Sequence, residues 1–389
     1  MKLPKSKSHT NGYLVLDFSP TSLKTLSFEQ DSDSKKLSLK GFSISDSYKD
    51  LLRKEVVKSS VNECLSQSNL KATDAIIGLS GPEVFGFTLI AKIKRKNPEK
   101  QIDEKEISSV YDQVRDACYE QAKKKWSFWS ANEDGFEPLD LVVTSIQVDE
   151  AVVSEPVGDT GEFVRISVFC SYSSKKYYKW ILNLINDLKF SSITVTTTIY
   201  SQAKLIGEGS KNFLLVDIGK DYTDVACILG KNIIQSRSFE IGGSYFSRYL
   251  VDKHGSDFAS ANSKKEAFAL GTLDEESMDK FGDSLYDASK VWRTAFATAL
   301  DSMSGIKSFP HRIYLSGGGS LLSMIQEVLL EDEWRKAVPF ANDIDIFATD
   351  GKSLDKNITD ELNVLDGSRM FATGTLGVIK LELDEADEL

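Results

Sequence analysis

The sequence is poor in residues that bind metals or form disulfides. Among 389 residues there are three histidines and four cysteines. The cysteines, Cys64, Cys118, Cys170 and Cys227, stand far apart, and no two have the short spacing that zinc sites use. The sequence therefore predicts neither a zinc site nor a disulfide framework, and it fits a reducing compartment.

Long apolar runs and an excess of positive charge are missing as well. No stretch approaches the roughly 18 apolar residues of a membrane-spanning helix, and residues 1–12 contain Lys and Ser rather than an apolar signal core. The 47 Lys and Arg against 58 Asp and Glu give a net charge of −11, which argues against binding nucleic acid by neutralising phosphates. We expect a cytoplasmic globular protein with no nucleic-acid partner, a disordered basic tail at residues 1–11 and an acidic tail at 382–389.

What the sequence does contain is an internal repeat. Residues 14–29 (LVLDFSPTSLKTLSFE) align without a gap with residues 214–229 (LLVDIGKDYTDVACIL), an offset of 200 positions. In each copy an apolar strand ends in an aspartate, a short polar turn follows, and a second strand leads away. Each copy therefore predicts a β-hairpin with an acid at its turn, Asp17 in the first and Asp217 in the second. An aspartate before a turn often only bonds nearby amides, but two in matched register favour a shared role.

Strands and helices alternate along the rest of the chain. This alternation predicts α/β layers rather than an all-β fold or a helical bundle. The predicted helices are residues 51–67, 103–125, 174–188, 244–253, 283–303 and 321–330. The predicted strands are residues 75–79, 139–146, 163–170, 192–197 and 312–315, with a final strand and helix around 370–381.

Two hairpins with turn acids suit a nucleotide held between two similar domains. Turn amides would bind phosphate oxygens, and Asp17 and Asp217 would hold Mg²⁺ through its waters. A third element, residues 313–322 (IYLSGGGSLL), is a strand that runs into three glycines and then a helix. Such a turn lets a ligand approach the backbone closely and exposes helix amides to anions. The predicted ligands are ATP and Mg²⁺.

On these motifs the sequence resembles the actin-like ATPases, and within them the FtsA family of bacterial cell division and the PilM family of pilus assembly. The resemblance covers about residues 13–381. Residues 17–24 resemble the first phosphate motif, 217–224 (DIGKDYTD) the second, 315–322 the adenosine motif, and 371–377 (FATGTLG) the second connecting helix.

The resemblance implies an α/β, actin-like fold of the ribonuclease-H-like duplicated kind, with two domains around a nucleotide cleft and an inserted small subdomain of the FtsA type. PVGDTG at 156–161 and IIGLSG at 76–81 favour FtsA, whereas RSFEIGG at 237–243 is similar to the PilM pattern. The implied boundaries are 12–78 and 170–203 for domain I with helix 371–381 packing back, 79–169 for the insertion, 204–240 and 310–370 for domain II, and 241–309 for its second subdomain.

The resemblance also implies the site residues. Gln202, in YSQAKL, would orient an attacking water, with Asp17 and Asp217 as its catalytic partners. The implied nucleotide-binding residues are Ser19, Thr21, Ser22 and Lys24 in the first hairpin, Gly219, Lys220, Asp221, Tyr222 and Thr223 in the second, Gly242 and Gly243 after it, and Gly317, Gly318, Gly319 and Leu321 in the glycine turn.

Three departures from the family pattern bear on turnover. Pro20 removes a backbone N–H that could bind phosphate. Asp221 adds negative charge near the expected phosphates, which Lys220 could offset. Residues 264–271 (KKEAFALG) lack, at the expected spacing, the acid and lysine used near the ribose and adenine. We therefore expect at most a weak ATPase.

The resemblance implies an FtsA-like scaffold that self-associates into filaments, binds the C-terminal tail of FtsZ or another division protein, and works at the cytoplasmic face of the inner membrane. The alternatives are a PilM-like scaffold that binds a pilus inner-membrane protein, and a degenerate actin-like protein that does not hydrolyse nucleotide. A sugar or acetate kinase is disfavoured, because no candidate acid is found to deprotonate a substrate hydroxyl.

One segment is a candidate for peripheral membrane or partner contact. Residues 123–129 (KKKWSFW) combine basic and aromatic side chains, a pairing suited to an anionic bilayer surface. The alternative is that the aromatic rings cap the core of the inserted subdomain. The candidate residues are Lys125, Trp126, Phe128 and Trp129.

Overall fold

A computed structural model describes residues 12–31, 36–46, 52–68, 70–129, 135–230 and 232–387. The strands are β1 Gly12–Phe18, β2 Ser22–Gln30, β3 Leu37–Asp46, β4 Ala72–Leu79, β5 Val84–Lys94, β6 Phe136–Val148, β7 Ala151–Val153, β8 Phe163–Ser174, β9 Ser192–Thr197, β10 Phe213–Ile218, β11 Thr223–Leu229, β12 Asn232–Phe239, β13 Arg312–Ser316, β14 Asp345–Ala348 and β15 Ile358–Thr359. The helices are α1 Lys54–Ser66, α2 Glu104–Trp129, α3 Lys175–Ile185, α4 Thr198–Gly207, α5 Gly243–His254, α6 Phe258–Ala269, α7 Glu275–Asp301, α8 Ser323–Leu330, α9 Asp332–Arg335 and α10 Phe371–Asp387.

The first sheet contains the first copy of the repeat. Its order is β15-β3-β2-β1-β4-β9, with β1 antiparallel to β2 and parallel to β4. Every residue of β1 is buried, as expected for a strand that is covered on both faces. In the β1–β2 hairpin Asp17 lies opposite Lys24.

The second sheet contains the second copy. Its order is β14-β13-β10-β11-β12-β5-β8-β6-β7, with β10 antiparallel to β11 and parallel to β13. Asp217 lies opposite Asp224, the same register as the first hairpin. The predicted hairpin repeat is therefore confirmed, and so is an α/β fold with two sheet-containing domains.

The inserted segment bridges the two sheets. Its strands β5, β8, β6 and β7 extend the second sheet beyond β12, where Gln235 pairs with Phe87. Helix α2 covers one face of these strands with Val110, Val114 and Cys118. Strand β8 then leads into α3, whose Tyr177 and other apolar residues pack in the core beside the first sheet. The Thr196 hydroxyl of β9 in the first sheet donates to Asp140 of β6 at 2.6 Å, so the insertion contacts both halves of the molecule.

Side-chain caps fix the start of the two helices nearest the candidate site. The hydroxyl of Thr197 accepts a hydrogen bond from the Tyr200 amide at the start of α4. The carboxylate of Asp257 accepts one from the Ser260 amide at the start of α6. Each cap satisfies an amide that has no partner inside its helix, so α4 and α6 begin at defined positions.

The two ends of the chain are described to different extents. Helix α10 continues to Asp387, so residues 382–387 of the predicted acidic tail have a helical backbone. The predicted basic tail, residues 1–11, lies outside the described residues. Among the described helices, none is both long enough and apolar enough to cross a membrane.

Candidate functional site

A cleft of about 400 Å³ lies between the two hairpins, the starts of α5 and α6, and the glycine turn after β13. This volume falls within the range of small-molecule sites, about 300–1,000 Å³. The predicted residues that line it are Asp17, Ser19, Ser22, Lys24, Asp217, Gly219, Lys220, Asp221, Tyr222, Gly243, Gly318, Gly319 and Leu321. Of the predicted residues, the lining does not include Thr21, Gln202, Thr223, Gly242 and Gly317.

The two repeated acids face the same cleft. Asp17, at the end of β1, is 8% exposed, and its Oδ2 accepts a hydrogen bond of 2.7 Å from Thr373 Oγ1. The Lys24 ammonium lies 4.0 Å from the same oxygen. Burial raises the pKa of the Asp217 carboxyl; Lys24 and a hydrogen bond from Gln202 lower this pKa, and the charge of Asp17 raises it. The charge of Asp17 therefore acts on Asp217, and both carboxylates line the same cleft.

Asp224 is a carboxylate that lines the cleft beside Asp217 and was not among the predicted site residues. It lies opposite Asp217 in the hairpin, and the Gly81 amide donates to its two oxygens at 3.3 and 3.1 Å. Burial, and then the charge of Asp217, raises the pKa of Asp224 to about 7. The repeat contained the signal, because Asp224 is the equivalent of Lys24 at the offset of 200.

The acids do not form a direct metal cage. Within the described part of the chain, no three His, Cys, Asp or Glu side chains are grouped so that they could hold a metal ion. Asp17 and Asp217 fit a magnesium ion that keeps most of its water, which is how Mg²⁺ is usually bound in proteins.

The tips of the two hairpins contact each other and the start of α5. The Thr21 hydroxyl donates a hydrogen bond to the Asp221 carboxylate. The Gly243 amide donates to the Gly219 carbonyl at 2.9 Å, and the Ser244 amide to the Lys220 carbonyl at 2.7 Å. The first amides of α5 are therefore bonded to the second hairpin turn. One of them belongs to Gly243, which was predicted to contact the nucleotide.

Gly242 is needed for this close packing. A Cβ at Gly242 would lie 2.7 Å from the carbonyl oxygens of both Gly219 and Lys220. The absence of a side chain at Gly242 therefore lets the start of α5 pack against the hairpin turn, and its predicted contact with the nucleotide stays a prediction.

The three glycines after β13 have different roles. Gly317 has φ +80°, and a Cβ there would lie 2.4 Å from Asp217 Oδ1. A Cβ at Gly319 would lie 2.3 Å from Ile218 Cγ2. At Gly318 the nearest atom to a Cβ would be Arg369 Cγ, at 3.8 Å. Gly317 and Gly319 therefore let this turn pack on the end of β10, and Gly318 leaves open space toward the cleft.

Helix α6 contributes side chains to the cleft lining. The expected spacing of an acid and a lysine is absent from residues 264–271, but Lys265 and Glu266 of this segment line the cleft, as does Asn262. Lys265 Nζ donates to the Gly243 carbonyl at 3.2 Å and to Asn262 Oδ1 at 2.8 Å. Burial lowers the pKa of Lys265 to about 8. The helix begins at Phe258, so its cleft-facing side also includes Asn262, four residues before Glu266.

Further cationic groups surround the cleft. Lys24 Nζ donates to the Arg369 carbonyl at 2.9 Å, and Lys220 Nζ lies 3.7 Å from Asp46. Together with Lys265, these side chains place positive charge beside the acids. A polyanion that carries a divalent cation matches this mixture of charges.

Gln202 lies behind the cleft wall. Its side chain is fully buried, and its Nε2 donates to Asp217 Oδ2 at 2.7 Å. Its buried Oε1 has no hydrogen-bond partner within the described part of the chain. Gln202 therefore bonds the Asp217 carboxylate from outside the cleft lining. Its predicted role, to orient an attacking water, stays a prediction.

Thr223 is a predicted ligand residue that the structure places elsewhere. Its hydroxyl donates to the Ile241 carbonyl at 2.6 Å and accepts from Trp292 Nε1 at 3.0 Å. The side chain is fully buried among these groups. It is therefore part of the packing of the second sheet, because residues alternate between the two faces of a strand.

The basic and aromatic segment at the end of α2 is described only in part. The side chains of Trp126, Phe128 and Trp129 lie outside the described residues. The Lys125 ammonium lies 5.1 Å from the centre of the Phe87 ring, and burial lowers the pKa of Lys125. Lys125 therefore contacts its own subdomain, and the predicted membrane or partner contact of this segment stays a prediction.

Comparison with known proteins identifies the fold. No family model matches the sequence, and no curated protein matches it. Among solved structures, the chain is similar to PilM in the PilM–PilN type IV pilus biogenesis complex, with a TM-score of 0.64 and 14% identity, over 94% of this chain and 98% of that chain. It is also similar to MreB 5 of Spiroplasma citri bound to AMPPNP, with a TM-score of 0.50 and 11% identity, over 97% and 98% of the two chains. These likenesses show an actin-like ATPase fold.

Proposed function

We propose that this chain binds ATP with Mg²⁺ in the cleft and acts as a scaffold of the PilM type, with weak turnover or none. One observation supports the proposal most directly. The ends of both repeated hairpins, with Asp17 and Asp217, line a single cavity of about 400 Å³. AMPPNP, an ATP analogue, is bound in the similar MreB structure.

The side chains around the cleft fit each part of such a ligand. Asp17 and Asp217 would hold the magnesium ion through its waters, and Lys24 lies beside them for phosphate oxygens. Lys265 and Glu266 offer a donor and an acceptor suited to ribose hydroxyls. Bound Mg²⁺ would neutralise part of the phosphate charge.

An apolar part of the cleft suits a nucleobase. Leu270 and Leu321 both line the cleft and remain 69% and 42% exposed. Gly318 also lines the cleft. Ligand pockets commonly combine such apolar surface with a few well-placed polar groups.

The same geometry argues for slow hydrolysis. Gln202 is buried behind Asp217 rather than facing the cleft, and Asp221 brings a negative charge to the hairpin tip. Hydrolysis requires an oriented water and stabilisation of charge on the phosphate. We therefore infer that the bound nucleotide is hydrolysed slowly and acts mainly by controlling the conformation of the protein.

The proposed partner is the cytoplasmic part of a membrane-anchored pilus-assembly protein, which would place the chain at the cytoplasmic face of the inner membrane. The likeness to PilM in a complex with PilN supports this choice over an FtsA-like role with FtsZ. The PVGDTG segment, which favoured FtsA, is bonded within its own subdomain. Arg95 donates to the Gly161 carbonyl at 3.0 Å, and the Gly158 amide donates to the Ile102 carbonyl at 2.9 Å. These contacts give the segment a structural role that does not require an FtsA-like function. Self-association into filaments is part of the proposal, since actin-like chains can stack through heterologous contacts.

Calorimetric titration distinguishes the partner hypotheses. The full chain with Mg-ATP is titrated with the cytoplasmic N-terminal peptide of a PilN protein and, separately, with an FtsZ C-terminal tail peptide. Micromolar binding of the PilN peptide alone is the expected result. Selective binding of the FtsZ peptide would overturn the PilM-like role and restore the FtsA-like one.

A further inference from the structure

Asp140 is a buried carboxylate that does not line the cleft. It lies on β6 of the inserted subdomain and is 7% exposed. Its Oδ1 accepts a hydrogen bond of 2.6 Å from Thr196 Oγ1, and its Oδ2 accepts from the Thr197 amide at 3.2 Å and from the Ser171 hydroxyl. A buried carboxylate is unfavourable unless donors surround it, and these three donors meet that need.

Two of the donors belong to the start of helix α4. Thr196 and Thr197 are the last two residues of β9, and Thr197 is the N-cap residue whose hydroxyl accepts from the Tyr200 amide at 3.2 Å. Negative charge near a helix N-terminus is favoured by the helix dipole. Asp140 therefore fixes the point at which α4 begins, and it does so from the inserted subdomain.

A second contact from the insertion supports the same turn of α4. Phe169 of β8 stacks on Tyr200, with ring centroids 5.3 Å apart and an angle of 8° between the rings. Aromatic pairs of this kind add stability beyond the area that they bury. The insertion thus holds the first turn of α4 by one polar and one aromatic contact.

The next residues of α4 hold the cleft. Gln202 donates to Asp217, and the Ser201 hydroxyl pairs with Thr375 Oγ1 of α10 at 2.9 Å. Helix α10 also provides Thr373, whose hydroxyl donates to Asp17. Helix α4 therefore lies between the inserted subdomain and the two acids of the cleft.

We propose that Asp140 is a positioning residue that couples the inserted subdomain to the nucleotide cleft through α4 and Gln202. The proposal rests on the proposed function, because it assigns the cleft to Mg-ATP. A ligand on the insertion that shifts α4 changes nucleotide affinity, and by linkage the nucleotide changes the affinity of that ligand by the same factor.

The first test needs no nucleotide. Asp140→Asn keeps the size of the side chain and removes its charge, and Asp112→Asn, at an exposed position on α2, is the matched control. Hydrogen exchange of the full chain should become faster at residues 196–203 in Asp140→Asn and remain unchanged in the control. Unchanged exchange at 196–203 would overturn the proposal.

The second test asks whether the effect passes through Gln202. Asp140→Asn should weaken Mg-ATP binding about three- to tenfold, and in a Gln202→Ala background it should weaken binding no further. Additive losses would mean that Asp140 does not act through Gln202. If the wild-type chain binds no nucleotide, the proposed function fails, and the hydrogen-exchange test still decides whether Asp140 controls α4.

A milder variant covers the case in which Asp140→Asn does not fold. Thr196→Val removes one donor to Asp140 and keeps the shape of the side chain. It should speed exchange at 196–203 in the same direction, by a smaller factor. The proposal is wrong if this variant folds and leaves exchange in α4 unchanged.

Discussion

Thr21 and Asp221 occupy equivalent positions in the two copies of the repeat, and the Thr21 hydroxyl donates a hydrogen bond to the Asp221 carboxylate. The two hairpin tips therefore meet at the side of the cleft where phosphates are expected. Asp221 brings a negative charge to that position, with Lys220 of the same turn also lining the cleft. A bound phosphate and this carboxylate would repel each other.

Removing the charge of Asp221 should therefore strengthen nucleotide binding. Asp221→Asn keeps the shape of the side chain and is expected to raise Mg-ATP affinity about fivefold, since a charge repulsion of this kind is only partly screened. Calorimetric titration measures this, with Asp112→Asn as a control for the loss of one distant acid. Weaker binding in Asp221→Asn would show that this carboxylate helps to hold the ligand or its metal.

The pKa of Asp224 predicts a pH dependence of stability. Burial raises this pKa from 3.8 to about 7, so between about pH 4 and pH 7 the folded chain keeps a proton that the unfolded chain has released. By linkage the Asp224 contribution to stability falls as pH rises through that range. In Asp224→Asn this fall is absent, so the Tm of the variant relative to wild type should be higher at pH 8 than at pH 5 by roughly 2–4 °C. An equal Tm difference at the two pH values would contradict the buried, protonated state.

Neighbouring glycines should respond differently to the same substitution. Gly317→Ala puts a Cβ 2.4 Å from Asp217 Oδ1 at φ +80°, so it should destabilise the fold by about 1–3 kcal/mol from backbone strain alone and displace Asp217. Gly318→Ala meets only Arg369 Cγ at 3.8 Å and should change stability by less than about 1 kcal/mol. Thermal unfolding of both variants checks this, and equal effects would mean that the turn is packed differently.

Lys265 should contribute to affinity in a pH-dependent way. Burial lowers its pKa to about 8, so the side chain loses its positive charge as pH rises through about 8. Mg-ATP affinity of the wild type should fall between pH 7 and pH 9, and Lys265→Gln should bind about tenfold more weakly at pH 7 with a flatter pH profile. Lys264→Gln, one residue earlier, is the control. An unchanged pH profile in Lys265→Gln would exclude Lys265 from the site.

The hairpins and their acids could be predicted from the sequence because the repeat fixes the register. The apolar run that ends in Asp17 or Asp217 predicts a strand and a turn from neighbouring residues alone. The match between the two copies then predicts that the two aspartates occupy equivalent positions. Strand β5 was not predicted, although Phe85, Phe87, Leu89, Ala91 and Ile93 alternate along it and pack in one core. What the sequence does not reveal is its place in the second sheet, because its partners β8 and β12 are remote along the chain.

The missed site residues depend on tertiary contacts. Lys265 reaches the cleft only because α6 packs beside the start of α5, a contact that no spacing along the chain reveals. Gln202 was found by its motif, but whether its amide faces the cleft or the back of Asp217 is decided by how α4 sits between the insertion and α10.

The central claim, that both hairpin acids serve one Mg-ATP site, is tested most directly by calorimetric titration of wild type and Asp217→Asn with ATP, each with Mg²⁺ and with excess EDTA. The account predicts wild-type binding that depends on Mg²⁺, and binding at least about tenfold weaker in Asp217→Asn, with little response to the metal. Equal affinities in the two proteins, or wild-type binding that is unchanged by EDTA, would contradict it.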